Sequence, residues 1–265
     1  MRRRSAILAS LAGLMALLGG KATLAADGHP LVISLDGTLP LLLTVPHDGD
    51  EPIGSVTNRT NGPLLRDVGT RLLAERVATL LEKAHGTRPS LVIARFSRRF
   101  VDANRAERDG VESLQALPAY FAYHAEVARH VRRLRALFPK GALLLDIHAQ
   151  SQEVDTVFRG TRGGLTVKAL LQRHGMEAVQ GDKSILGGLY AKGYNVSPTI
   201  GSPSLEEDRR FDGGYTVGTC GSHQPGGIDA IHLEFGKSQR ERGNLPENVA
   251  QSVSDFLMHY KYVAR

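Results

Sequence analysis

Two apolar runs in this chain each break into side chains that can ligate a metal. Leu41–Pro52 reads Leu-Leu-Leu-Thr-Val-Pro-His-Asp-Gly-Asp-Glu-Pro. Its first half has the character of a buried strand. Pro46 ends that strand because it has no N–H for the ladder. Gly49 lets the following loop bend, so the chain presents His47, Asp48, Asp50 and Glu51 together. The second run, Ala142–His148, is Ala-Leu-Leu-Leu-Asp-Ile-His and closes on Asp146 and His148. Two imidazoles and one carboxylate fill three positions of a tetrahedral zinc and leave the fourth for water. A single histidine at a strand end more often does no more than satisfy backbone groups. A second strand end of the same kind, with the motif described below, reverses that weighting.

The surrounding pattern supplies elements to hold these groups. Leu31–Leu35 and Leu39–Val45 flank Asp36-Gly37, which reads as strand, tight turn and strand leading into His47. Residues 53–63 form a long loop beside the site. Arg66–His85 carries Val68, Leu72, Leu73, Val77, Leu80 and Leu81 at helical spacing, with Gly86 placed to cap the end. Ser90–Phe96 is a short strand that runs into the polar stretch Ser97–Arg108. Glu112–Phe138 is a second helix, with Tyr120, Tyr123, Val127, Val131 and Leu134 on one side and Pro118 marking its first turn. Its Arg129, Arg132, Arg133 and Arg135 read as a solvated face that complements the helix dipole, not as a polyanion site. Thr156–Phe158 is a possible strand and Leu165–His174 a short helix. Residues 176–225 are irregular and Gly-rich, as sets of binding loops often are. Ile228–Phe235 is a strand, apolar except for Asp229, His232 and Glu234. Leu245–Tyr262 is a closing amphipathic helix. The alternation predicts a three-layer α/β fold, one domain around a mixed, largely parallel central sheet. Sites in such sheets gather at strand C-terminal ends, where His47, Asp146, His148 and Glu234 all fall.

The first 25 residues read as a signal peptide. Arg2–Arg4 form a basic start, Ala6–Leu18 an apolar core, and Thr23-Leu24-Ala25 a small-residue cleavage site. The mature domain is then 26–265, periplasmic or secreted, with no later run long enough for a membrane. The formal charge is +6. It falls to +2 on cleavage, because the leader holds four basic residues and no acid. No basic stripe with interleaved aromatics argues for nucleic acid. Cys220 is the only cysteine, so no disulfide can form within the chain.

Val101-Asp102-Ala103-Asn104-Arg105 resembles the Val-Asp-X-Asn-Arg segment of the zinc carboxypeptidases. More of the chain resembles their relatives, the N-formylglutamate amidohydrolases. Pro46–Gly49, the segment from Ser97 or Arg98 to Arg105, Asp146–His148, Gly213-Gly214-Tyr215 and the strand ending in Glu234 follow that family's order. The resemblance covers roughly Leu39 to Arg240. It implies a zinc-carboxypeptidase-like (phosphorylase/hydrolase-like) fold and a Zn2+ cofactor held by His47, His148 and a carboxylate of the first loop. Asp50 and Glu51 both qualify as that acid, and Glu51 is favoured. Asp102 is implied as the acceptor for the far N–H of a ligand histidine, and Asn104 and Arg105 as binders of a substrate carboxylate. Glu234 is the implied general base, Arg98 or Arg99 the oxyanion partner, with Arg99 preferred, and Tyr215 a further donor.

The implied activity is hydrolysis of an amide bond near a free carboxylate, in a small acylated amino acid or peptide. Export fits poorly with the breakdown of formylglutamate in the cytosol, so a periplasmic peptidase for small, γ-glutamyl or cell-wall peptides is the runner-up. Two readings outside this chemistry remain: a Cys220 nucleophile with His223, and a non-catalytic binding domain that has kept the fold.

Overall fold

The structure is a computed structural model that describes residues 29–263. The proposed leader, residues 1–25, lies outside them. Seven strands form one sheet in the order β1-β3-β2-β4-β7-β5-β6. They are β1 (Val32–Leu35), β2 (Leu41–Val45), β3 (Ser90–Ala94), β4 (Leu143–Gln150), β5 (Thr156–Gly160), β6 (Asn195–Ser197) and β7 (Asp229–Gly236). The central four, β3, β2, β4 and β7, are parallel. β1 and β5 run antiparallel to their neighbours β3 and β7. This is the mixed, largely parallel sheet that the alternation predicts.

One expectation fails here. β1 and β2 do not pair as a hairpin across Asp36-Gly37, because β3 lies between them. Gly37 has a different use: a Cβ there would overlap the Arg88–Pro89 backbone. The turn is a close crossing over the start of β3.

Each face of the sheet is covered. The Thr70–His85 and Leu245–His259 helices pack on one side, against Leu41, Leu43, Leu145, Leu233 and Phe235. The Leu117–Leu137 helix packs on the other, against Leu42, Val92, Leu144 and Ala230. Gly86 caps the first helix in the left-handed region, φ 70°, and Pro118 sits in the first turn of the Leu117–Leu137 helix, both as expected. The irregular stretch 176–225 contains short helices over Glu177–Gln180, Ile185–Tyr190 and Tyr215–Cys220. No helix among the described residues is long and apolar enough to cross a membrane.

From β2 the chain goes to β3 on one side and then crosses to β4 on the other. The C-terminal ends of β2 and β4 are therefore a topological switch point, where α/β sheets open a crevice. Strand alternation decides what faces it. Thr44 is in register with Asp146, Asp146 with His232, and His148 with Glu234. All five lie on the face of the Leu117–Leu137 helix, while Leu43, Leu145, Ile147, Leu233 and Phe235 face the opposite core. The polar row is as buried as a core row: Thr44 and Asp146 are fully covered.

Candidate metal centre and catalytic cleft

His47 and His148 converge on one carboxylate, that of Asp67. Asp67 Oδ2 lies 3.3 Å from His47 Nδ1 and 3.1 Å from His148 Nδ1. All three side chains are buried, and their donor atoms lie within 4.8 Å of one another. The spacing suits a small tetrahedral cation. Metal–ligand bonds of about 2.0–2.1 Å put neighbouring ligand atoms roughly 3.3–3.4 Å apart.

The far nitrogens fit as well. His47 Nε2 is 2.8 Å from Asp102 Oδ1, and His148 Nε2 is 2.9 Å from Asp146 Oδ2. A carboxylate only accepts, so each Nε2 donates to its partner, and loss of the Nδ1 proton would turn a lone pair toward Asp67. Two such lone pairs and a carboxylate would suit a cation between them, so the residues fit a metal; without one, a protonated Nδ1 donates to Asp67 instead. The overlapping group Asp146, His148 and His232 fits less well, because Asp146 is already held by Thr44 Oγ1 at 2.6 Å and by His148.

The carboxylates are poised as anions. Burial alone would raise the Asp102 pKa, but the charges of His47, Arg98 and Arg59 hold it well below the usual range. Burial likewise works against the Asp67 anion, and His47 and His148 outweigh it. For His148 the opposition runs the other way. Burial disfavours the imidazolium, yet the Asp146 carboxylate raises its pKa to about 10.

The first-loop acids do not join the centre. Glu51 continues the β3 ladder: its N–H donates to Arg95 O, its carbonyl accepts from Ser97 N, and its carboxylate pairs with Arg95 at the surface. Asp50 is 72% exposed and paired with Arg66. Asp67 takes the place expected of Glu51. A second correction concerns the arginines. Arg99 is exposed and contributes backbone groups: its carbonyl accepts from Arg59 N–H and its N–H donates to Ser97 Oγ. Arg98 turns inward instead, donating to Asp102 Oδ2 from Nε at 3.0 Å, with Nη1 3.6 Å from Asp67 Oδ1.

The centre opens into a cleft of about 680 Å³. Asn104, Arg105, Tyr215 and Glu234, all expected at the site, line it. Asn104 Oδ1 accepts from Thr216 N–H at 2.9 Å, which turns its amide nitrogen toward His148. Arg105 uses Nε on Asp102 at 3.3 Å and leaves its side chain 44% exposed. Arg162 and Arg240 line the cleft too, with no acidic partner among the described residues. Arg162 is held at φ 51°, an uncommon conformation for a side chain of this size. Its guanidinium lies where a Cβ on Gly218 would sit. Cys220 is partly buried, and burial pushes its thiol pKa up to about 11, which suits a packed side chain and not a nucleophile.

The sequence offered no distinct sign of Asp67, His232 or Arg162. Asp67 precedes a helix, where an acid reads as a cap. His232 is visible only as a polar interruption in an apolar strand.

No family model matches the sequence, and no curated protein matches it. Among the solved structures that share the fold are two proteins. One is N-formylglutamate amidohydrolase from Ralstonia eutropha, with a TM-score of 0.57 and 17% identity over 88% of this chain and 98% of that one. The other is a gene product of Agrobacterium tumefaciens, with a TM-score of 0.50 and 16% identity over 86% of this chain and 96% of that one. The fold implied by the motifs is thus the fold found.

Proposed function

We propose that this protein is a zinc-dependent amidohydrolase that cleaves an amide bond close to a free carboxylate, acting outside the cytoplasm after export. One observation carries the reading: the His47–Asp67–His148 triangle opens into a cleft that also holds Asn104, Arg105 and Glu234. The likeness in fold to an N-formylglutamate amidohydrolase supports it.

When bound, zinc would supply a Lewis acid and lower the pKa of a water to about 7. The chain's own residues do the rest. Asp102 and Asp146 hold the two imidazoles in one tautomer. Asn104 and the free edge of Arg105 take the substrate carboxylate, for which a guanidinium provides two parallel donors. Glu234 accepts the proton of the attacking water on its free oxygen and returns it to the leaving nitrogen. Arg98 stands where it can meet negative charge developing on the carbonyl oxygen.

The cleft volume favours a second reading within this chemistry. About 680 Å³ falls among pockets that take drug-sized ligands, and a formylated single amino acid would fill little of it. A short peptide or a bulky acyl group uses the space better. The test is a panel of N-formyl, N-acetyl and N-aroyl amino acids and di- to tetrapeptides, each with free and amidated C-termini, assayed with zinc-replete protein. Hydrolysis confined to free acids supports the proposal. Turnover that ignores the carboxylate, or persists after metal removal, refutes it.

A further inference from the structure

His232 has no part in the chemistry so far, yet it is buried against two residues that do. Its ring stacks on His148, centroids 4.2 Å apart and planes at 30°. It is 4% exposed. Its Nε2 lies 3.1 Å from Glu234 Oε1. Its Nδ1 is 3.8 Å from Asp146 Oδ2, beyond hydrogen-bond reach. Glu234 Oε2 is buried and has no hydrogen-bond partner among the described residues, although Glu234 lines the cleft beside His148.

We propose that His232 is a positioning residue: it donates from Nε2 to Glu234 Oε1, fixes the carboxylate rotamer, and leaves Oε2 as the oxygen that takes the proton. This rests on Glu234 being the base. Two facts separate it from simple packing. First, a slot in an apolar strand beside an aromatic ring is filled as well by Leu, Met or Phe, without a polar nitrogen in the interior. Second, the bond goes to one carboxylate oxygen only. A glutamate has three side-chain torsions, and one fixed oxygen removes most of that freedom before substrate arrives. Strand geometry makes the pairing possible, since His232 and Glu234 are two residues apart on one face of β7. The backbone therefore delivers both groups beside His148, in register with Glu234.

The decisive comparison is His232→Gln with His232→Met in the zinc-replete protein. The two replacements have the same length and similar shape, and only Gln has an N–H to offer Glu234. Met should lower kcat by about 10–100-fold, the scale of a misplaced catalytic group, with KM changed less than about threefold. Gln should recover most of kcat. Both should keep one zinc per chain. Equal kcat for the two variants, at either level, overturns the proposal. Glu234→Gln separates this from the underlying reading. If it turns over normally, the base assignment fails; if it is inactive while His232→Met is fully active, only the positioning role fails. A measurement on the unmodified zinc-bound protein needs no tolerant variant: the long-range ¹⁵N–¹H spectrum of His232 should show a proton on Nε2. A proton confined to Nδ1 would overturn the inference.

Discussion

Replacing Asp67 by Asn separates the two candidate acids directly. The substitution keeps the shape and an oxygen for the Ala149 N–H, which Asp67 Oδ2 now accepts at 3.3 Å. It removes the negative charge that both imidazole Nδ1 atoms face, at 3.1 and 3.3 Å. Even a carboxylate acting behind a metal ligand is worth about 10–100-fold in metal affinity. A direct ligand should exceed that, so Asp67→Asn should weaken zinc binding by more than about 100-fold, or roughly 2.7 kcal/mol. Glu51→Gln should do almost nothing. Its ion pair with Arg95 is more than one-third exposed on both sides, and such pairs contribute about 0–1 kcal/mol. Zinc affinity is read by competition against a chromophoric chelator at fixed pH, with thermal melts to confirm folding. If Glu51→Gln loses zinc while Asp67→Asn retains it, the metal centre described above is wrong.

Zinc affinity should also depend on pH. The His148 pKa is raised to about 10, so at neutral pH zinc must displace that proton. The proton is held below the folded pKa, and competition therefore strengthens as pH falls. Apparent log affinity should rise by about one per unit between pH 6.5 and 9; a flat profile would contradict the His148 environment. Gly214→Ala would place a Cβ on the Asn104 amide, turning Asn104 from both Thr216 and His148. KM for a free-acid substrate should rise several-fold with zinc content unchanged, and an unchanged KM would remove Asn104 from substrate binding. Behind the cleft residue Arg162, Glu207 holds the buried Arg159 guanidinium at 2.9 Å and accepts from Thr161 N–H at 2.7 Å and from Gly163 N–H at 3.0 Å. Glu207→Ala leaves that charge unpaired, at a cost of about 3–5 kcal/mol, which calorimetry should record as a Tm lower by roughly 6–20 °C.

The parts of the site that the sequence announces are those whose placement is local. Pro46 ends β2 within the sequence itself, so His47 must leave the strand there. The period-two pattern in Asp146-Ile147-His148 and in His232-Leu233-Glu234 puts the polar partners on one face without knowledge of any other strand. That holds in the structure, where Ile147 and Leu233 both face the opposite core. Parity fails where the strand ends. β3 stops at Ala94, and a turn follows in which Phe100 N–H bonds Ser97 O at 3.0 Å. Alternation then no longer decides which of Arg98 and Arg99 turns inward. Glu51 lies away from the two histidines for a related reason. Gly49 does more than allow a bend, since a Cβ there would overlap the Arg95–Phe96 backbone. That contact lays the loop along β3 and carries Glu51 into its ladder, with the carboxylate outward.

Asp67 could not be found this way, because its role depends on a chain return. It lies twenty residues beyond His47, after the loop, and the two meet where Asp67 N–H donates to His47 O at 3.1 Å. Locally it resembles a residue that starts a helix, and it does serve that end as well: Thr70 N–H and Thr70 Oγ1 both bond its backbone carbonyl. Because the backbone carbonyl anchors the helix start, the carboxylate is free to point inward. Two strand ends fix the histidines, and the turn that leads into the covering helix brings the acid between them. A loop of different length between Pro52 and Arg66 would leave both strands intact and still move Asp67. Insertion of two residues at the exposed Asn61-Gly62 step should therefore reduce zinc affinity more than it reduces thermal stability, because loop length alone costs little entropy. Unchanged zinc affinity would show that Asp67 is placed by the helix alone and that its backbone tie to His47 is incidental.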